Sequence, residues 1–157
     1  MSSTLGIGVP VPKMLPITGT WTVPFAAYLV YLSNRIFYRR IVTEKYMGDR
    51  LVDGAESTSN DKPDPLFLET RAHNNFLESV PLCFTLAAVA ELNGANRKVL
   101  NYAMATLFVL RIIHIEFGLK LKDTVGLGRP IGFVGTQGFI AGMAAYSTYL
   151  VKGYWGY

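Results

Sequence analysis

Four apolar stretches separated by polar connections fill most of this chain, at roughly 15–37, 74–92, 99–119 and 131–151, against the roughly 20 residues a helix needs to cross a bilayer. Backbone polar groups in hydrocarbon must be satisfied internally, so runs of this kind fold as a bundle of membrane helices. The 157 residues leave room for one domain, with half of them hydrophobic and 17% charged. The expectation is an all-α membrane protein, a bundle of four transmembrane helices. The second run is long enough only if Asn74, Asn75 and Glu78 lie inside the bundle rather than against lipid.

The connections carry their own signals. The segment 46–66, rich in Gly, Asp, Ser, Asn and Pro, reads as the long polar loop, and 120–130 reads as a shorter one with Gly126 and Gly128. Between the second and third runs lies a tight antiparallel turn, with Gly94 placed for positive φ and Asn96 placed to cap the next helix. Pro16 and Pro24 are tolerable in a membrane helix, and Trp21 suits an interface. Lysine and arginine are concentrated around the first and third connections, which places those cytoplasmic and both termini across the membrane. No basic n-region precedes the first run, so it is expected to remain in the mature protein.

Several classes are excluded. The net charge of +4 sits at helix ends without interleaved stacking aromatics, so nucleic-acid binding is not expected. Two histidines and one cysteine do not make a metal ligand set. That cysteine, Cys83, reads as a buried apolar thiol. Four spans without inverted halves make a poor frame for a transporter.

Polar residues at membrane depth are costly and mark sites. Arg71, Asn75 and Glu78 are spaced i, i+4 and i+7 on a helix, with Asn74 at i+3, so one face presents a guanidinium, an amide and a carboxylate. Arg111 and His114 repeat the pattern in the third run, with Glu116 off that face, and Arg129 opens the fourth with Gln137 on roughly the same face. A common polar volume near the cytoplasmic end follows. It suits a ligand with two carboxylates, an ammonium and a peptide amide, which is the charge inventory of glutathione, and a neighbouring guanidinium would favour its thiolate.

A structural alternative stands beside this. A polar network can hold helices together without a ligand, with Arg71–Glu78 and Arg111–Glu116 as candidate pairs. His73, off the Arg71 stripe, reads as a packing or interfacial residue. Gly132, Gly135, Gly138 and Gly142 read as close-packing positions of the fourth helix.

The stretch Arg71-Ala-His-Asn-Asn-Phe-Leu-Glu-Ser-Val-Pro81, followed by Ala90-Glu-Leu-Asn-Gly-Ala95, Arg111-Ile-Ile-His114 and Arg129-Pro-Ile-Gly-Phe133, resembles the MAPEG family, the membrane-associated proteins in eicosanoid and glutathione metabolism. The likeness covers roughly 33–149 and is nearest to the family's small microbial branch. It implies a homotrimer of four-helix protomers in an intracellular membrane such as the endoplasmic reticulum, with glutathione held between protomers as co-substrate and a lipophilic small molecule arriving from the bilayer. By the same resemblance, Arg71, Asn75 and Glu78 match the second-helix glutathione contacts, Arg111 and His114 the third-helix polar pair, and Arg129 the catalytic arginine at the thiol. Asn74 stands where some members have arginine. A late first-helix arginine also contacts the tripeptide in the family; Arg35 and Arg39 both fit, and Arg35 is preferred. The chain departs from several synthases where pocket tyrosines are replaced by Phe117 or Gly118 and by Phe133. The implied activity is a glutathione transferase or peroxidase, and the alternative is a non-catalytic lipid-binding or scaffold member.

Overall fold

The computed structural model describes residues 4–5, 9–10, 14–44, 65–119 and 128–156. Four helices account for most of them: α1 (Pro16–Thr43), α2 (Pro65–Leu92), α3 (Arg97–His114) and α4 (Gly128–Val151). α3 runs on through a π-helical turn, Ile115–Leu119, and α4 ends in a 3-10 turn, Lys152–Trp155. Ahead of α1, β1 (Thr4–Leu5) pairs antiparallel with β2 (Val9–Pro10), a small departure from the all-helical expectation. The connections expected at 46–66 and 120–130 lie, but for their last residues, outside the described residues.

α1 and α2 have 28 residues each and α4 has 24. At 1.5 Å per residue these exceed the ~30 Å of hydrocarbon in a bilayer. Two helices, α2 and α3 continued to Gly118, are both long and apolar enough to cross a membrane. α1 and α4 have the length, but Thr18, Gly19, Thr20 and Thr22 dilute the first, and Thr136, Gln137 and five glycines dilute the second. Only 28% of the apolar window of α2 and 33% of that of α3 is buried within the chain. Leu77, Leu82, Val89 and Val109 point outward. Apolar surface of this extent marks contact with lipid or another chain.

The helices run past the apolar runs because polar tertiary contacts continue where hydropathy stops. α2 begins at Pro65, well ahead of the expected 74, and its first turns are held by buried Leu66 and by Glu69, which pairs with Arg35 of α1. α1 likewise continues beyond Phe37 to Thr43, ending at Glu44 in the left-handed region with φ 54°.

The core lies toward one end, where Phe25 packs edge-on to Phe84 at 4.9 Å and against Phe108 at 5.0 Å. Leu32, Cys83, Ala87, Leu100, Met104 and Leu107 are fully buried around it, so Cys83 is the apolar thiol the sequence implied. That end is also tied by polar bonds. α1 has no side-chain cap of its own, and Glu91 at the end of α2 supplies one: its two carboxylate oxygens accept from Ile17 N at 2.7 Å and Thr18 N at 2.8 Å. The turn to α3 follows the expected chemistry, with Gly94 at φ +83° and Asn96 Oδ1 accepting from Lys98 N at 2.9 Å and Val99 N at 3.4 Å. Tyr146 of α4 accepts from Asn96 N at 3.0 Å, and Trp21 donates to Asn101 at 2.9 Å. With this end fixed, the opposite end is left to the polar residues.

Candidate functional site

α2 carries two polar faces, because residues four apart stack on one side of a helix. One face, Arg71, Asn75 and Ser79, turns toward α3 and α4. Arg111 of α3 meets it almost fully buried, at 2% exposure. Its Nη1 donates to Asn75 Oδ1 at 3.1 Å and Ser79 Oγ at 2.9 Å. Its Nη2 donates to the Gly132 carbonyl at 2.7 Å and, in a short contact, to Thr136 Oγ1. One guanidinium thus ties three helices, through acceptors that are all uncharged. Its Nε is buried without a hydrogen-bond partner.

One turn beyond, His114 is buried, with Nδ1 3.0 Å from the Arg129 carbonyl oxygen. A carbonyl only accepts, so Nδ1 carries the proton and Nε2 is the acceptor of the neutral ring. Arg129 sits in the first turn of α4. Between these elements opens a cavity of about 430 Å³ lined by Arg71, Asn75, His114, Arg129, Pro130 and Phe133. That volume lies within the roughly 300–1,000 Å³ of small-molecule sites. Among the described residues, two guanidiniums, an amide and an imidazole face it and no carboxylate does, while half-exposed Phe133 and Pro130 give it an apolar side. Such a wall offers hydrogen-bond donors for an anion next to an apolar surface.

The other polar face of α2, Glu69 and His73, turns to α1. Arg35 pairs closely with Glu69 and, at 3.5 Å, with Glu116 of the π turn, and its guanidinium lies 5.4 Å from the centre of the Tyr31 ring. Tyr28 donates to Glu116 at 3.2 Å. His73 Nε2 and Ser33 Oγ are 3.1 Å apart, an interhelical packing bond of the kind expected for that histidine.

Of the sequence-derived candidates, Arg71, Asn75, His114 and Arg129 are therefore brought to one cavity. Arg111 stands behind it, enclosed by its own chain's acceptors, and Arg35 lies in the separate cluster between α1, α2 and the π turn. Asn74 and Glu78 are exposed on α2 and do not line the cavity. Glu116, weighed as a partner for Arg111, turns to α1 instead. Gln137 is exposed, and its neighbour Thr136 is the inward residue. Ser79 and Thr136 were missed, although Ser79 extends the Arg71–Asn75 stripe by one more turn. Gly132 and Gly135 are close-packed against His114 and Leu110, as expected of them, but a Cβ at Gly138 or Gly142 would meet nothing within 4 Å.

The sequence profile of the MAPEG family matches residues 18–149, a span that contains every residue of the cavity and of the Arg35 cluster. No curated protein and no solved structure matches the chain.

Proposed function

The chain belongs to the MAPEG family, and from that premise we propose that it is an integral membrane, glutathione-dependent enzyme, a transferase or peroxidase acting on lipophilic electrophiles. The observation that carries the proposal is the cavity wall of Arg71, Asn75, His114 and Arg129, which brings two guanidiniums together beside an apolar flank. Arg71 takes a carboxylate of the tripeptide and Asn75 a peptide group. Arg129 holds the sulfur as thiolate, lowering a thiol pKa that is ordinarily about 8.5. The thiol proton leaves to solvent, the sulfur lone pair forms a bond to the electrophilic carbon, and the leaving group departs with its electron pair. With a hydroperoxide the sulfur attacks oxygen, the alcohol departs, and a second glutathione completes the disulfide with release of water.

Arg111, matched by the resemblance to the third-helix polar pair, takes a supporting role within this reading. Arg111 donates to four acceptors of its own chain, which supports a fixed positive charge that orients Asn75 rather than a fork for a ligand carboxylate. Asn74 and Glu78 face outward, so their part in holding the ligand, with Glu78 at its ammonium, belongs to a homotrimer in which glutathione lies against a neighbouring copy. The reading places all four helices across the bilayer of an intracellular membrane such as the endoplasmic reticulum, with the cavity at the cytoplasmic end.

Calorimetric titration of glutathione into detergent-purified protein tests the proposal. Saturable binding is expected, and its absence at millimolar glutathione removes the enzyme reading. Arg129→Ala should lower conjugation of a generic electrophile by about 10²–10³, the scale of losing one donor to a developing anion. The rival is a non-catalytic lipid-binding or scaffold member, favoured by the internal saturation of Arg111 and the pairing of Arg35 with two carboxylates. It predicts no turnover in any form, together with loss of assembly in Glu78→Ala.

A further inference from the structure

The wall of the cavity rests on backbone contacts between the π turn and the start of α4. A Cβ added at Gly118 would lie 2.7 Å from the backbone nitrogen of Arg129 and 2.8 Å from its Cα. One at Gly128 would meet the Ile113 carbonyl oxygen and the Phe117 carbonyl carbon, each at 2.7 Å, and one at Gly132 would overlap the Cβ of His114. At Gly118 and Gly128 the obstacle is main chain, which cannot rotate out of the way as a side chain can. Arg129 and His114, the two cavity residues joined by the 3.0 Å Nδ1–carbonyl contact, therefore sit on segments packed together without intervening side chains.

The π turn itself is held from its far side. A π turn fits an extra residue into the helical repeat and redirects side chains, and such turns recur at functional sites. Here Glu116 within it points to α1, accepting from the Tyr28 hydroxyl at 3.2 Å and pairing with Arg35 at 3.5 Å. A chain of contacts thus runs from Arg35 and Tyr28 to Glu116, through the π turn to Gly118, and on to Arg129.

We infer that Gly118 and Glu116 are positioning residues for Arg129: Gly118 admits the Arg129 backbone against the π turn, and Glu116, anchored on α1, holds that turn in place. Arg35 then acts on the cavity through Glu116 without forming part of its wall. The catalytic consequence rests on the glutathione reading; the geometry does not. Misplacement of a catalytic group by about 1 Å can cost 10²-fold in rate.

The full chain carrying Gly118→Ala or Glu116→Gln tests this, with Gly138→Ala as control because its Cβ meets nothing within 4 Å. In ligand-free protein, hydrogen exchange at 128–136 is expected to quicken in both variants, to stay constant at 85–104, and to be unaltered in the control. With glutathione and a generic electrophile, kcat should fall about 10- to 100-fold while KM for glutathione moves by less than about threefold. The rise of kcat with pH should shift upward by about one unit, because a more distant guanidinium stabilises the thiolate less and the thiol then ionises at higher pH. If Gly118→Ala fails to fold, Glu116→Gln, which is nearly isosteric, decides alone. Unchanged exchange at 128–136 in Glu116→Gln overturns the inference. So does a rise in KM with kcat and its pH dependence unaltered, since that marks a ligand contact. A wild-type protein that neither binds nor turns over glutathione would sink the proposed function, while hydrogen exchange would still decide the positioning role.

Discussion

Replacing Glu91 by alanine removes the cap of α1 without touching α1. Leu15, the residue at the cap position, offers no side-chain acceptor, and the first turn holds no acid. The Glu91 carboxylate alone meets the amides of Ile17 and Thr18, at 2.7 and 2.8 Å. A lost N-cap costs about 0.5–2 kcal/mol, and hydrogen bonds to a charged group about 1.5–3 kcal/mol each. The two descriptions overlap, and the site is only partly buried, so the expected loss is about 2–3 kcal/mol for Glu91→Ala. Glu91→Gln keeps one acceptor and loses the charge that complements the helix dipole, for about 1–1.5 kcal/mol. For a chain of this size a loss of 1 kcal/mol lowers Tm by about 2–4 °C, so alanine should bring a drop of about 4–12 °C and glutamine about half of that or less. Thermal unfolding in detergent followed by tryptophan emission is the assay, since Trp21 lies one turn from the cap. Lys98→Ala, at an exposed position just past the same turn, should stay within about 0.5 kcal/mol of the parent. Equal losses for Ala and Gln, or an Ala variant that melts with the parent, would refute the capping argument.

Other consequences follow from the same contacts. Arg111→Ala removes four interhelical hydrogen bonds, at about 0.6 kcal/mol apiece on average in membrane bundles, and leaves a cavity; a loss of about 2–4 kcal/mol is expected in detergent unfolding. Thr136→Val, which deletes one of those acceptors, should cost about 0.5–1.5 kcal/mol by the same measurement. Gly132→Ala drives a methyl into His114 and should destabilise by about 1–3 kcal/mol. Gly138→Ala, with open space around it, should stabilise by up to about 1 kcal/mol through helix propensity; destabilisation there would show that another chain covers that face. Glycosylation tags at each terminus should be modified in microsomes if the termini face the lumen, and unmodified tags at both would overturn that orientation.

Local chemistry was readable where it depends on neighbours in sequence. Gly94 and Asn96 announce their turn because a positive φ and a cap are decided within a few residues. Arg71 and Asn75 announce a shared face because helical spacing alone puts them there. The helix ends were not readable from hydropathy: Glu69, ahead of the expected start of α2, pairs with Arg35 of α1 across 34 positions of sequence. Glu78 belongs to the Arg71 spacing and yet lies outside the cavity, because the side of α2 that meets Arg111 runs through Asn75 and Ser79, and that contact, not the spacing, selects which part of a polar stripe turns inward.

The sequence by itself determined that apolar helices would dominate, that α2 would carry ionisable groups within an apolar helix, and that the chain would match one family, since composition and helical period are properties of the linear order. Only the tertiary structure decided which cation faces open space and which is enclosed. Arg71 and Arg111 look alike in the chain, but one lines the cavity while the other is surrounded by four acceptors, three of them side chains contributed by α2 and α4. The reason is physical: a buried guanidinium must find acceptors from several elements at once, and their convergence exists only after the helices have packed.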